Sequence, residues 1–362
     1  MAVESSTQGE KQDADETPAP TANPSEEVTE LLGGTVDVLK GTFRGEELRW
    51  ITDVNSNQKL EGSTIAAKLV SDGVYRYVGI HGKNVSVGGQ AGSDASKSLR
   101  LAIAMLFSAG KTALTERDGV SVDLVSHPMG KESWVIPEGE EKQEYVNIFE
   151  RNHTGEALFS SEDKTRERLA AVREEVLRAL EAAGYIVEDG KVMKAPAGAS
   201  LSYHIWIANG EQNPFYDMVS QVSQEFQAIG MNLQIEALQS AEELEKKLAR
   251  GSQQLWIGMR DVSDVDLQGR YASLGRNNIF GIKDKDLDES LGNLQTYLTS
   301  AQRREAYQKC IDQVFAWAVE VPLCEYQDAL LFSSSRIRQS SIPKDLTPYY
   351  GWMDEVQKIR MK

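Results

Sequence analysis

A chain of 362 residues, 40% hydrophobic and 26% charged, has ample material for a core and for two lobes. Its formal net charge of −16 argues against nucleic acid and anionic lipid as partners, since both need clustered Lys and Arg. Two cysteines, Cys310 and Cys324, exclude a disulfide scaffold, although one pairing between them stays open.

Residues 1–27 are rich in Asp, Glu and Pro and have no aromatic residue, the composition of a disordered acidic tail. They contain no apolar core of a signal peptide, and no run of about 18 apolar residues occurs anywhere, so neither an export signal nor a membrane-spanning helix is expected. Order should begin near Val28, with a short helix punctuated by Gly33 and Gly34 before a strand. Residues 42–70 carry no readable period. Val74 to Ile80 predicts a strand, followed by a glycine-rich loop and a helix capped by Ser93. Residues 119–160 read as irregular. Ser161 predicts the N-cap of a helix whose stripe is Leu169, Val172, Val176 and Leu180, with Gly184 as its stop.

The clearest stretch follows. Leu201, Tyr203, Ile205 and Ile207 alternate as in a half-buried strand. Phe215, Val219, Val222, Phe226 and Ile229 make one helix face ended by Gly230. Met231, Leu233 and Ile235 alternate again, Ser240 and Glu243 suggest a capping box, and Leu255 to Met259 form another strand. This β-α-β-α-β order implies an α/β sheet with covering helices. Helices on Leu287, Leu291, Leu294 and Leu298 and on Tyr307, Ile311 and Val314 precede a last extended segment, Pro322 to Phe332.

Catalytic and metal motifs are missing. None of His81, His127, His153 and His204 lies within four residues of another, so no helical metal pair exists. Gly110-Lys111-Thr112 lacks the earlier glycine of a phosphate loop and reads as a helix C-cap. Asp284, Asp286 and Asp288 lack the turn glycine of a calcium loop and fit a helix N-terminus. No nucleophile elbow occurs. No catalysis, metal or cofactor is therefore expected. One constellation suits a ligand: Trp256 on a strand that runs into Arg260, Asp261, Asp264 and Tyr271. Ligands of α/β sheets bind beyond the carboxyl ends of strands. There an Asp can pair with an ammonium group, an Arg can grip a carboxylate, and an aromatic ring can stack. A plain solvated loop is the competing reading of the same residues.

The order of segments resembles family 5 of the bacterial extracellular solute-binding proteins, the oligopeptide and dipeptide receptors of ABC importers, over their C-terminal half. The likeness runs from Glu27 to Lys362 through "ELLGGTVDVLKGTF", "YRYVGIHGKNVSVGG", "ASKSLRLAIAMLF", "HPMGKESWVIP", "LRALEAAGYIVEDGKV", "FQAIGMNLQIE", "YQKCIDQVFAWAVEVPLCEYQ" and "YYGWMDEVQKIRMK". The family usually has Asn where His81 stands, and its second aromatic near Met259 is absent. The resemblance implies a type II periplasmic-binding-protein-like α/β fold. Residues 74–321 would form a complete distal lobe, and 28–73 with 322–362 a partial first lobe. It implies a peptide ligand enclosed by hinge closure, ABC permease subunits as partners, and an extracytoplasmic location. The implied ligand-binding set is Trp256, Arg260, Asp261, Asp264, Tyr271, Asn278, Trp134 and Tyr326, with Asp261 or Asp264 taking the peptide amino group. Because family members carry further residues for the first lobe, a separate chain supplying that lobe is a possible partner. The alternative role is a truncated member acting as an envelope interaction or structural protein.

Overall fold

The computed structural model describes residues 25–136, 147–296 and 299–362. Pro137, Leu298 and nearly all of the acidic tail lie outside them. Two long antiparallel strands organise the chain: β2, Ile65–Ile80, and the last strand, β9, Glu320–Ser333. Their ladder breaks between Ser71 and Tyr75, where Asp72, Gly73 and Val74 face Tyr326 alone, and Gly73 takes φ +76. Such a bulge bends the pair and increases its twist. A second irregularity lies between Arg76 and Tyr77 and brings Pro322, which has no N–H to give, opposite Tyr77.

On either side of the main bulge the sheet has different neighbours. At one end β1, Val38–Gly41, pairs with Ala329–Phe332. At the other, β3, Val122–Leu124, takes the same edge of β9, and β8, Leu255–Asp261, pairs with Val74–Ile80. β6, Ser202–Ala208, and β7, Asn232–Leu238, continue beyond β8 as a parallel layer, giving the order β1-β9-β2-β8-β6-β7. Helices Tyr216–Ala228 and Ala241–Leu248 connect these parallel strands, as the apolar periods require. The hairpin of β4, Ile186–Glu188, and β5, Lys191–Lys194, stands apart.

Period-two alternation divides the core. Ile65, Ala67, Ala329 and Leu331 face helices α1, Glu26–Gly33, and α2, Glu46–Val54. Ala66, Val70, Leu330 and Phe332 face the C-terminal segment through Ile337 and Ile342. The largest cluster surrounds helix α3, Asp94–Gly110, and the strands from Tyr75 onward.

Several local expectations need correction. Helix α5, Thr165–Ala182, begins after Lys164, not Ser161, because Asp163 already accepts the Ser160 N–H at 2.7 Å and closes its own turn. The C-cap expected at Gly110-Lys111-Thr112 is present: α3 ends at Gly110 with Lys111 as its cap, but Lys111 keeps helical angles and the chain runs straight on into α4, Thr112–Asp118. A Cβ on Gly110 would lie 2.6 Å from Val222, so that glycine admits the neighbouring helix. Residues 42–70 contain α2 and the first part of β2, and 119–160 contain β3. Cys310 and Cys324 are buried and free. Asp284 caps the helix Lys285–Gly292, and no metal-holding group of acids, His or Cys occurs among the described residues.

Candidate functional site

On the face of the sheet where β2 meets β8, each ladder pair sets a large side chain against a small or flexible one. Gly79 lies opposite Trp256, Tyr77 opposite Gly258, and Tyr75 opposite Arg260. The glycines are required: a Cβ on Gly79 would sit 2.2 Å from the Trp256 ring, and one on Gly258 2.4 Å from Tyr77 Cζ. The Arg260 guanidinium lies over the rings of Tyr75 and Tyr77, 4.4 and 5.0 Å from their centroids. Phe280 packs among Tyr77, Trp256 and Tyr271, with centroids 5.5–5.9 Å apart.

Glu320 stands at the centre of this cluster. Its fully buried carboxylate accepts from Tyr75 Oη at 2.9 Å, Tyr271 Oη at 2.8 Å and Arg260 Nη2 at 2.5 Å. Arg260 Nη2 also donates to the Pro128 carbonyl. Burial is the largest influence and disfavours the charged guanidinium, but the Glu320 carboxylate together with Tyr271 and Tyr75 holds the Arg260 pKa well above the usual value. Burial, reinforced by Glu320, raises the Tyr75 and Tyr271 hydroxyls, so both remain donors.

Past the end of β8 the chain reaches solvent. The Asp261 carboxylate is exposed and accepts from Ser263 N at 2.8 Å and Ser263 Oγ at 2.5 Å. Tyr349, from the C-terminal segment, donates its hydroxyl to the same oxygen at 3.2 Å. The Ser263 bonds pull the Asp261 pKa down, so it is ionised at neutral pH. Asp264 is half-exposed and leans toward Arg270 Nη1, 3.7 Å away.

The expected ligand residues thus fall into separate places. Trp256, Arg260 and Tyr271 share the Glu320 cluster, and Trp256 and Tyr271 expose no surface. Asp261 ends β8 and Asp264 lies on the loop beyond it. Asn278 spans its own loop, donating to Ala272 O and Ile282 O at 2.9 Å. Trp134 is partly exposed and packs edge-on to Tyr307 at 5.1 Å. Tyr326 is buried at the bulge, where its hydroxyl donates to Asp118 at 3.0 Å and its ring carries Arg44 at 3.7 Å. Glu320, Arg270 and Tyr349 were absent from the sequence expectation. Only Glu320 leaves a trace there, as an acid between Val319 and Val321.

No protein-family model and no curated protein matches this chain. Solved structures do. The oligopeptide-binding protein AppA from Bacillus subtilis, in complex with a nonapeptide, superposes with TM-score 0.60 at 12% identity, covering 92% of this chain and 57% of its own. The Escherichia coli murein tripeptide binding protein MppA matches with TM-score 0.58 at 13% identity, over 93% of this chain and 56% of its own. NikZ from Campylobacter jejuni, in complex with Ni(L-His), gives 0.55 at 16% identity over 93% and 60%. All three are binding proteins, and the chain spans little more than half the length of each. No helix among the described residues is long and apolar enough to cross a membrane. The α/β fold is therefore that of the extracellular solute-binding proteins, realised over a part of their length.

Proposed function

We propose that the chain is a substrate-binding module of an ABC importer that binds peptides without catalysing a reaction. The observation carrying this reading is Asp261: an exposed carboxylate, held ionised, at the carboxyl end of a central strand and with no cationic side chain paired to it among the described residues. Asp264 is already engaged with Arg270, which leaves Asp261 as the acceptor for a peptide's ammonium group. Trp256, Arg260 and Tyr271 act from beneath, as the packed floor that fixes the direction of β8. Asn278 fixes the loop beside it, Tyr326 supports the bulge, and Trp134, packed edge-on to Tyr307, offers a partly exposed ring. The ligand is enclosed as residues 28–73 and 322–362, with the remainder of a first lobe, close onto 74–321 about the bulge at Gly73. Permease subunits are the transport partners, a separate chain is one source of that remainder, and the location is extracytoplasmic. Thermal melting of the full chain with a mixed tripeptide library tests the reading. A rise in midpoint that disappears in Asp261→Asn supports it; an unchanged midpoint at millimolar peptide refutes it.

A further inference from the structure

Arg100 and Arg270 are both buried arginines, and they differ in one respect. The guanidinium of Arg100 is fully used: Nε donates to Trp317 O at 2.7 Å, Nη1 to Gly82 O and Val85 O at 3.1 Å, and Nη2 to Ala91 O at 2.9 Å. This is how a structural arginine survives without water. Arg270 is only 4% exposed, yet its Nε, Nη1 and Nη2 are all buried and none has a hydrogen-bond partner among the described residues. The nearest acid, Asp264, stays at 3.7 Å, beyond a hydrogen bond. Arg260, which shares the Tyr271–Glu320 cluster, likewise leaves Nε and Nη1 without acceptors. Arg270 thus has a counter-charge in Asp264 but no acceptor for any of its five N–H groups, and unmade hydrogen bonds on a desolvated guanidinium are unfavourable.

The placement makes an acceptor reachable. Arg270 follows the loop at the carboxyl end of β8, and its ion-pair partner Asp264, 3.7 Å away, is 37% exposed, so the pair reaches the surface on the Asp264 side. We propose that Arg270 is a recognition site for a carboxylate group of the ligand, which enters as Asp264 swings toward solvent. The planar fork of Arg matches two carboxylate oxygens. The neighbouring acids Asp261, Asp264 and Asp266 disfavour a dianion such as phosphate, which selects a singly charged group. The identity of that group, a peptide's C-terminus or an acidic side chain, rests on the peptide reading; the anion site itself does not.

Calorimetric titration of the full chain separates these claims. The probes are trialanine, trialanine amide, the amides of Ala-Glu-Ala and Ala-Gln-Ala, and butyrate, a singly charged carboxylate. The proposal expects at least a tenfold preference for the acid within one of the two matched pairs. The trialanine pair reports the C-terminus and the Glu/Gln pair the side chain. Arg270→Gln should erase that preference while leaving affinity for the uncharged partner unchanged, and Arg270→Lys should restore part of it. Equal affinities within both pairs in the unsubstituted chain would overturn the carboxylate site and leave peptide binding intact. Butyrate binding that depends on Arg270, with no peptide bound, would uphold the site and end the peptide reading. Heat from none of the probes would end both.

Discussion

Substituting Glu320→Gln probes the centre of the buried cluster. Glu320 receives Arg260, Tyr75 and Tyr271 through one carboxylate with no exposed surface. A glutamine keeps one acceptor oxygen and the shape but removes the charge. Arg260 then lies buried over two tyrosine rings with neutral acceptors alone, the Pro128 carbonyl and the glutamine oxygen. Stranding one member of a buried ion pair costs about 3–5 kcal/mol. With an m-value of about 2 kcal/mol/M, the urea midpoint should fall by about 1.5–2.5 M. Tryptophan fluorescence reports it, since Trp256 and Trp317 are fully buried. The double variant Glu320→Gln/Arg260→Met removes both charges and should be more stable than Glu320→Gln alone, a coupling that a double-mutant cycle measures. A single variant within about 1 kcal/mol of the unsubstituted chain, or strictly additive effects, would refute the argument that Glu320 holds the cluster together.

Other expectations follow from the same packing. Burial, then Lys83 and Arg100, lower the His81 pKa to about 4, and its Nδ1 accepts the Asn84 N–H at 3.1 Å, which a proton on that nitrogen would abolish. Since the folded value is depressed below the unfolded one near 6.5, this stabilisation is complete above that pH. It is lost as pH falls toward 4, by up to about 3 kcal/mol. His81→Asn should flatten the dependence of the urea midpoint between pH 7 and 4.5 relative to the parent; parallel curves would contradict this. Gly258→Ala forces a Cβ against Tyr77 Cζ and should cost about 1–3 kcal/mol, whereas Gly292→Ala, with nothing within 4 Å at a helix end, should be neutral or stabilise by up to about 1 kcal/mol. Burial pushes the Cys310 thiol up to about 11 and Cys324 up to about 12, so neither should react with a thiol reagent at pH 8 until urea unfolds the chain.

The parallel layer was legible because its residues obey their periods without interruption. Tyr203, Ile205 and Ile207 alternate on β6, although Trp206 and Ala208 bury its other face as well, and the helix face from Phe215 to Ile229 is ended by Gly230 with positive φ. The first part of β2 was not legible because the strand is lined on both faces, by Ile65 and Ala67 on one and Ala66 and Val70 on the other, so alternation vanishes. Lys164 replaced Ser161 as the cap because a side-chain turn outcompeted it, which composition cannot register. Within the candidate site, Asp261 and Asp264 could be picked out by their place after a strand. Their division of labour could not, since it depends on Arg270, and a charged residue in a polar stretch gives no sign of burial. Glu320 was hidden by distance: it meets Arg260 across 60 residues and Tyr75 across 245.

The central claim is that this fold offers Asp261 to a peptide ammonium group. Titrating the full chain with a tripeptide library and with the same library acetylated at its amino termini tests it most directly. The account predicts measurable binding for the free amines, and a loss of about 10- to 100-fold on acetylation that Asp261→Asn reproduces, the size of one charge-assisted hydrogen bond. Equal binding of both libraries, or none by a folded chain, would contradict it.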